Sequence, residues 1–145
     1  MIAPTTYTAK LRTVTLTVRE TAPQPVISNA DMAAPILRAI FATLDADREH
    51  AVILALDTRH NARGFKVVAT GAMDAGMVDT RTVFRDALSL GAAAFLFSHN
   101  HPSGDPWPSQ EDRAVTARLA YAGAILKLPL LDHSIMGAGR HFSFL

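Results

Sequence analysis

The chain has 145 residues, 49% apolar and 19% charged, with a formal net charge of +1. That length and composition describe one globular domain able to bury a core, and exclude a disordered chain. The absence of cysteine excludes disulfides, thiolate metal sites and a cysteine nucleophile and fits a reducing, cytoplasmic setting, while the near-neutral charge gives no strong nucleic-acid signature.

No apolar h-region opens the chain, so no signal peptide is expected, and the apolar runs Ala51–Leu56 and Ala92–Phe97 are too short to span a membrane. Thr13–Val18 alternates Thr with Val14, Leu16 and Val18, the pattern of a half-buried strand. At a sheet edge such a strand would pair with a second copy of the chain and make a dimer. Thr21–Ile27 carries two prolines and connects onward, so residues 1–27 read as a strand and linker within a single domain of 1–145. Ser28 or Asn29 caps a helix reaching about Leu44, with Pro35 in its early turns.

Glu49–Leu56 reads as a strand, Thr58–Gly64 as a turn and Phe65–Thr70 as the hairpin partner. Arg59, His60, Arg63 and Lys66 cluster there and read as a solvated turn. Gly71–Asp79 is a loop, and Asp79 or Thr80 caps a helix that Gly91 ends after Leu90. Ala92–Ser98 is the continuous apolar run of a strand buried on both faces. Three prolines and a glycine keep Pro102–Pro108 irregular. Ser109–Tyr121 is a helix ending at Gly123, and Leu126–Met136 and His141–Leu145 supply the last strands. The expected fold is α/β (α+β mixed), a central mixed sheet flanked by helices.

His99 and His101 lie where the buried strand ends. Residues i and i+2 share a face, so both rings can reach one point while Asn100 turns away. The plain alternative is one histidine bonded in the core and one exposed. Ser109 and Asp112 match an ordinary capping box, yet that same box fixes Asp112 in the first helical turn, where the Pro-rich loop returns the chain to the strand end. His99, His101 and Asp112 then converge as three ligands without a fourth, the count typical of catalytic zinc, although other divalent ions accept the same set.

The glutamates are Glu20, Glu49 and Glu111. Glu111 faces about 100° away from Asp112 and reads as solvated. Glu20 trails an edge strand. Glu49 opens a strand directly after a helix, and its position alone leaves open a surface charge beside Arg48 and His50 or a group entering a cleft. Ser109, beyond capping, can donate to the oxyanion formed when a carbonyl is attacked. His133 reads as buried structure rather than support for the ligands, and His60 and His141 as exposed without a role. Trp107 either walls the cleft or packs the loop.

His-x-His, seven residues, Ser, two residues, Asp is the JAMM spacing of JAB/MPN metalloproteases. HNHPSGDPWPSQED, ALSLGAAAFLFSHNHPSG and LLDHSIMGAGRHFSF resemble the RadC branch, over roughly Ser28 to the C-terminus. The resemblance implies the JAB/MPN (cytidine deaminase-like) architecture, Zn2+ on His99, His101 and Asp112, Glu49 as catalytic base and Ser109 assisting the oxyanion. It implies a metallopeptidase acting on a peptide or isopeptide-linked protein. The chain is expected to lack the helix-hairpin-helix region usual in RadC proteins, which weakens the expectation of DNA association. Thr80-Arg81 also stands where a Pro-Arg pair is common.

Three other readings remain weaker. A non-catalytic scaffold would have lost ligands. An HNH nuclease disperses its named residues over a hairpin and helix. A cupin-like dioxygenase needs a ligand glutamate on a following strand, where this chain has a proline loop and a helix.

Overall fold

A computed structural model describes residues 26–71 and 78–145. The expected strand Thr13–Val18, and the dimer contact it suggested, lie outside the described residues. Of the connector, Val26 forms an antiparallel bridge with Asn61, and Ile27 is buried.

Five strands form one mixed sheet. They are β1 (His50–Leu56), β2 (Ala62–Thr70), β3 (Ala94–Asn100), β4 (Leu130–Met136) and β5 (His141–Ser143), in the order β2-β1-β3-β4-β5. β1 pairs antiparallel with β2 and β3, β3 runs parallel to β4, and β4 and β5 are antiparallel. Three helices complete the described fold: α1 (Ala30–Phe41), α2 (Thr80–Ser89) and α3 (Gln110–Leu126).

β1 and β3 are apolar on both sides because both faces of the sheet are covered. Val52, Leu54, Leu56, Leu96 and Met136 pack with Ala33, Leu37 and Ile40 of α1. The alternate residues Ala51, Ile53, Phe95 and Phe97 pack with Val83, Phe84 and Ala87 of α2 and Val115 and Leu119 of α3. The period-2 alternation of a strand thus divides one apolar run between two half-cores. Among the described residues no helix is long and apolar enough to cross a membrane.

Several boundaries differ from the sequence expectation. β3 spans Ala94–Asn100 rather than Ala92–Ser98, because Gly91 (φ 69°) and Ala92 are still closing α2, with Ala92 N–H donating to Ala87 O. The shift carries His99 inside the strand. α1 stops at Phe41, short of Leu44, and accommodates Pro35. Glu49 lies just before β1, which begins at His50, and β2 starts at Ala62, earlier than Phe65.

α3 runs through Gly123 to Leu126 and is ended by Lys127 in the left-handed region (φ 56°), so β4 starts at Leu130. Gly123 serves close approach: a Cβ there would meet Leu128 O at 2.6 Å. β5 stops at Ser143, and the last two residues are fastened by Asp132, whose Oδ1 accepts from Phe144 N–H and Leu145 N–H.

Candidate metal centre

The crossover from β3 through α3 to the parallel β4 places a loop beyond the carboxyl end of β3, where open α/β sheets gather functional groups. His99 projects from the penultimate position of β3, and His101 follows its end. The loop returns at Ser109, the N-cap of α3, and Asp112 sits in the first turn. Ser109 Oγ accepts from Asp112 N–H at 3.1 Å and Asp112 Oδ2 accepts from Ser109 N–H at 2.8 Å, so the capping box is closed. Oδ1 remains and lies 3.1 Å from His99 Nε2. Capping thus occupies Oδ2, which also faces His101, and leaves Oδ1 as a candidate metal ligand.

His99 Nε2 is 3.0 Å from His101 Nε2, and His101 Nε2 is 3.4 Å from Asp112 Oδ2. Zn–N bonds of about 2.0–2.1 Å in a tetrahedron separate ligand atoms by about 3.3 Å, so these spacings suit one ion. His99 and Asp112 are buried, while the His101 side chain keeps 15% of its exposure, which opens the centre on that side.

Hydrogen bonds fix which ring nitrogens face the centre. His101 Nδ1 lies 2.7 Å from Asp105 O, a carbonyl that can only accept, so the proton sits on Nδ1 and the Nε2 lone pair points inward. Thr116 Oγ1 donates to Asp112 O at 2.7 Å and so accepts from His133 Nδ1–H at 2.6 Å. His133 Nε2 then accepts from His99 Nδ1–H at 2.8 Å, which leaves His99 Nε2 as the inward lone pair. Two lone pairs and a carboxylate oxygen aimed at one another repel unless a cation or a proton lies between them. The donor set fits a divalent ion with histidines oriented by outer partners.

With a proton instead of a cation between the ligands, the same groups attract. Burial alone would raise the Asp112 carboxyl, but hydrogen bonds from His101 and His99, which require a proton on the inward Nε2, outweigh it and hold the group far below the usual carboxylate range. The hydrogen bond to Asp112 raises His101 above its ordinary value, with a smaller contribution from the Glu49 charge. Burial, followed by the neighbouring His99, pushes His133 well below its ordinary value and keeps it neutral.

In the metal-free protein, protonated His101 adds stability below its ordinary pKa, and that contribution is lost as pH rises through the raised value. A metal competes with the same proton. Zinc affinity should therefore rise about tenfold per pH unit up to the raised His101 pKa and level off above it, measured by chelator competition across pH.

Glu49 borders a cavity of about 430 Å³ with Arg48, Gly71 and Pro102. A second cavity of about 330 Å³ is lined by Arg38, Asn100, His101 and again Pro102. Glu111 is exposed as expected. Trp107 remains 68% exposed while its ring meets Phe142 edge-on at 5.4 Å, so it packs the loop onto β5 and still presents surface.

Other expectations need correction. His133 is buried, but it is the hydrogen-bond partner of His99 and not merely filling. His141 is half-buried and pairs with Asp31 at 3.4 Å, and His60 is half-buried with φ 63°. Lys66 is no solvated turn residue: it stands on β2 and pairs with the buried Asp86 at 3.3 Å. Sequence reasoning missed Thr116, although its place four residues after Asp112 on one helix face was a usable signal. It also missed the Asp105 carbonyl, which no side-chain pattern announces.

Comparison with known proteins agrees with this geometry. The family model described as RadC-like JAB domain matches residues 27–145. A UPF0758 protein of Methanococcoides burtonii is 46% identical over 96 residues, 66% of this chain and 42% of its own length. One from Shouchella clausii is 44% identical over 116 residues, 80% of this chain and 50% of its own. One from Rubrobacter xylanophilus is 40% identical over 124 residues, 86% and 54% respectively. The chain thus spans about half the length of these relatives. With a matching family model over most of its residues and the His-His-Asp constellation at the end of β3, the chain belongs to the RadC-like JAB domain family.

Proposed function

We propose that the protein is a zinc-dependent metallohydrolase of JAMM type that cleaves an amide bond in a peptide or an isopeptide-linked protein. The observation that carries this reading is the convergence of His99 Nε2, His101 Nε2 and Asp112 at tetrahedral spacing with one side open. Bound there, zinc supplies Lewis acidity and lowers the pKa of a coordinated water to about 7.

The chain's own residues supply the rest. Glu49 takes the proton of the attacking water on its carboxylate and returns it to the leaving amine nitrogen. Ser109 Oγ accepts from Asp112 N–H, which leaves its own proton to donate to the oxygen that gains charge in the attack. His133 and Thr116 hold His99 in one tautomer, and Asp105 does the same for His101.

Ser109→Ala separates the two roles of that hydroxyl. Loss of the cap should cost about 1 kcal/mol of stability, whereas loss of the oxyanion donor should lower kcat about 10²–10³-fold. A fall in melting temperature without a matching fall in kcat would leave Ser109 as a cap only.

The reading itself is tested by incubating zinc-loaded and chelator-treated protein with a quenched-fluorescence peptide mixture and an isopeptide-linked protein pair. Cleavage that requires zinc supports it. A fully zinc-loaded protein that cleaves neither contradicts it. DNA association, the second function suggested by the family resemblance, has no comparable support in the site and would show as a salt-dependent shift of labelled DNA.

A further inference from the structure

Asn100 stands between the two candidate histidine ligands, and strand alternation turns its side chain to the opposite face. That side chain bonds to backbone. Its Nδ2 donates to Arg48 O at 2.9 Å, and its Oδ1 accepts from His50 N–H at 2.7 Å. Both partners flank Glu49.

The last main-chain pair joining β1 and β3 at this end is Ala51 with His99. Beyond it the Asn100 amide substitutes for the ladder, donating and accepting where backbone groups otherwise would. Continuing the register by two residues sets Glu49 opposite His101. Antiparallel partners project to the same face, here the face of His99 and Asp112. On its other side the Glu49 carbonyl accepts from Gly71 N–H at 2.9 Å, just past the end of β2, so the backbone of residues 48–50 is held from both sides. Pro102 lines both cavities, one together with Glu49 and the other together with His101.

We propose that Asn100 is a positioning residue for Glu49: by clamping the carbonyl of residue 48 and the amide of residue 50, it sets the backbone direction from which the Glu49 carboxylate faces the His99–His101–Asp112 centre. The inference rests on the reading of Glu49 as the base. The task requires a neutral group that donates and accepts together, which an asparagine side chain does, while aspartate only accepts and leucine does neither.

The test uses the protein loaded with Co2+, whose visible spectrum reports protonation around the metal. The pH midpoint of the spectral change is compared in wild type, Glu49→Gln, Asn100→Leu, Asn100→Val and the Glu49→Gln/Asn100→Leu double variant. Asn100→Val removes both hydrogen-bonding groups yet keeps a residue well suited to a strand, and so guards against misfolding of Asn100→Leu.

Removing a neighbouring carboxylate eases loss of a proton, so Glu49→Gln should lower the midpoint by about one pH unit. Both Asn100 variants should move it in the same direction by a smaller amount, and Asn100→Leu should add nothing once Glu49 is glutamine. If Glu49→Gln moves the midpoint while the Asn100 variants do not, or if Asn100→Leu acts equally in both backgrounds, the positioning role is overturned and the base reading stands. A protein that takes up no cobalt, or a Glu49→Gln variant with an unchanged midpoint, overturns the base reading and this inference with it.

Discussion

Glu49→Gln should leave zinc content at the wild-type level while lowering kcat on an amide substrate about 10²–10⁴-fold, the range a positioned general base contributes. The residue precedes β1 and contributes nothing to either half-core, so the fold has little reason to respond. Its charge is nonetheless close enough to raise His101, which places it within electrostatic reach of the centre. Glutamine keeps the size and loses the ability to accept a proton at neutral pH. Melting temperature and metal content, measured beside kcat, separate loss of the base from loss of the site. A variant with full zinc and full activity would remove Glu49 from the chemistry.

Asp112→Asn should have the opposite signature, with loss of the metal as the primary event. Asparagine retains a carbonyl oxygen that can accept from Ser109 N–H, and the backbone N–H of residue 112 still donates to Ser109 Oγ, so both bonds of the capping box can survive. The anionic oxygen beside His99 and His101 does not. Zinc affinity should fall by at least about 100-fold, beyond the 10–100-fold typical of losing an outer partner. Without the carboxylate, His101 also loses the hydrogen bond that raises its pKa and should titrate lower. Chelator competition gives the first quantity, and NMR titration of the imidazole gives the second. Unchanged affinity would mean that Asp112 serves only as the helix cap.

Much of this arrangement is legible in the sequence, because the signals are local. Alternating and continuous apolar runs mark strands, and Ser28 or Asn29, Asp79 or Thr80, and Ser109 mark helix starts, the caps being found at Asn29, Asp79 and Ser109. His99, His101, Ser109 and Asp112 lie within fourteen residues, so one strand end and one helix start bring them together. Gly123 misled because glycine at a helix end and glycine under a tight backbone crossing look alike in sequence, and only the nearby Leu128 carbonyl distinguishes them.

The parts that were not legible depend on distant residues. His133 reaches His99 across 34 positions, and Asn100 reaches His50 across 50. Both bonds follow from strand order and register, which local patterns do not encode. The hydrogen bonds that orient the candidate ligands therefore emerge only once β1, β3 and β4 are laid side by side.

The most direct test of the central claim is the metal content of protein purified without added metal, by mass spectrometry, with His101→Ala alongside. About one zinc per chain is expected in wild type and its loss in the variant, because three ligands with one open position define the site. A wild-type protein that holds no metal and takes up none on zinc titration would contradict it, and would leave His99, His101 and Asp112 as a buried hydrogen-bonded cluster.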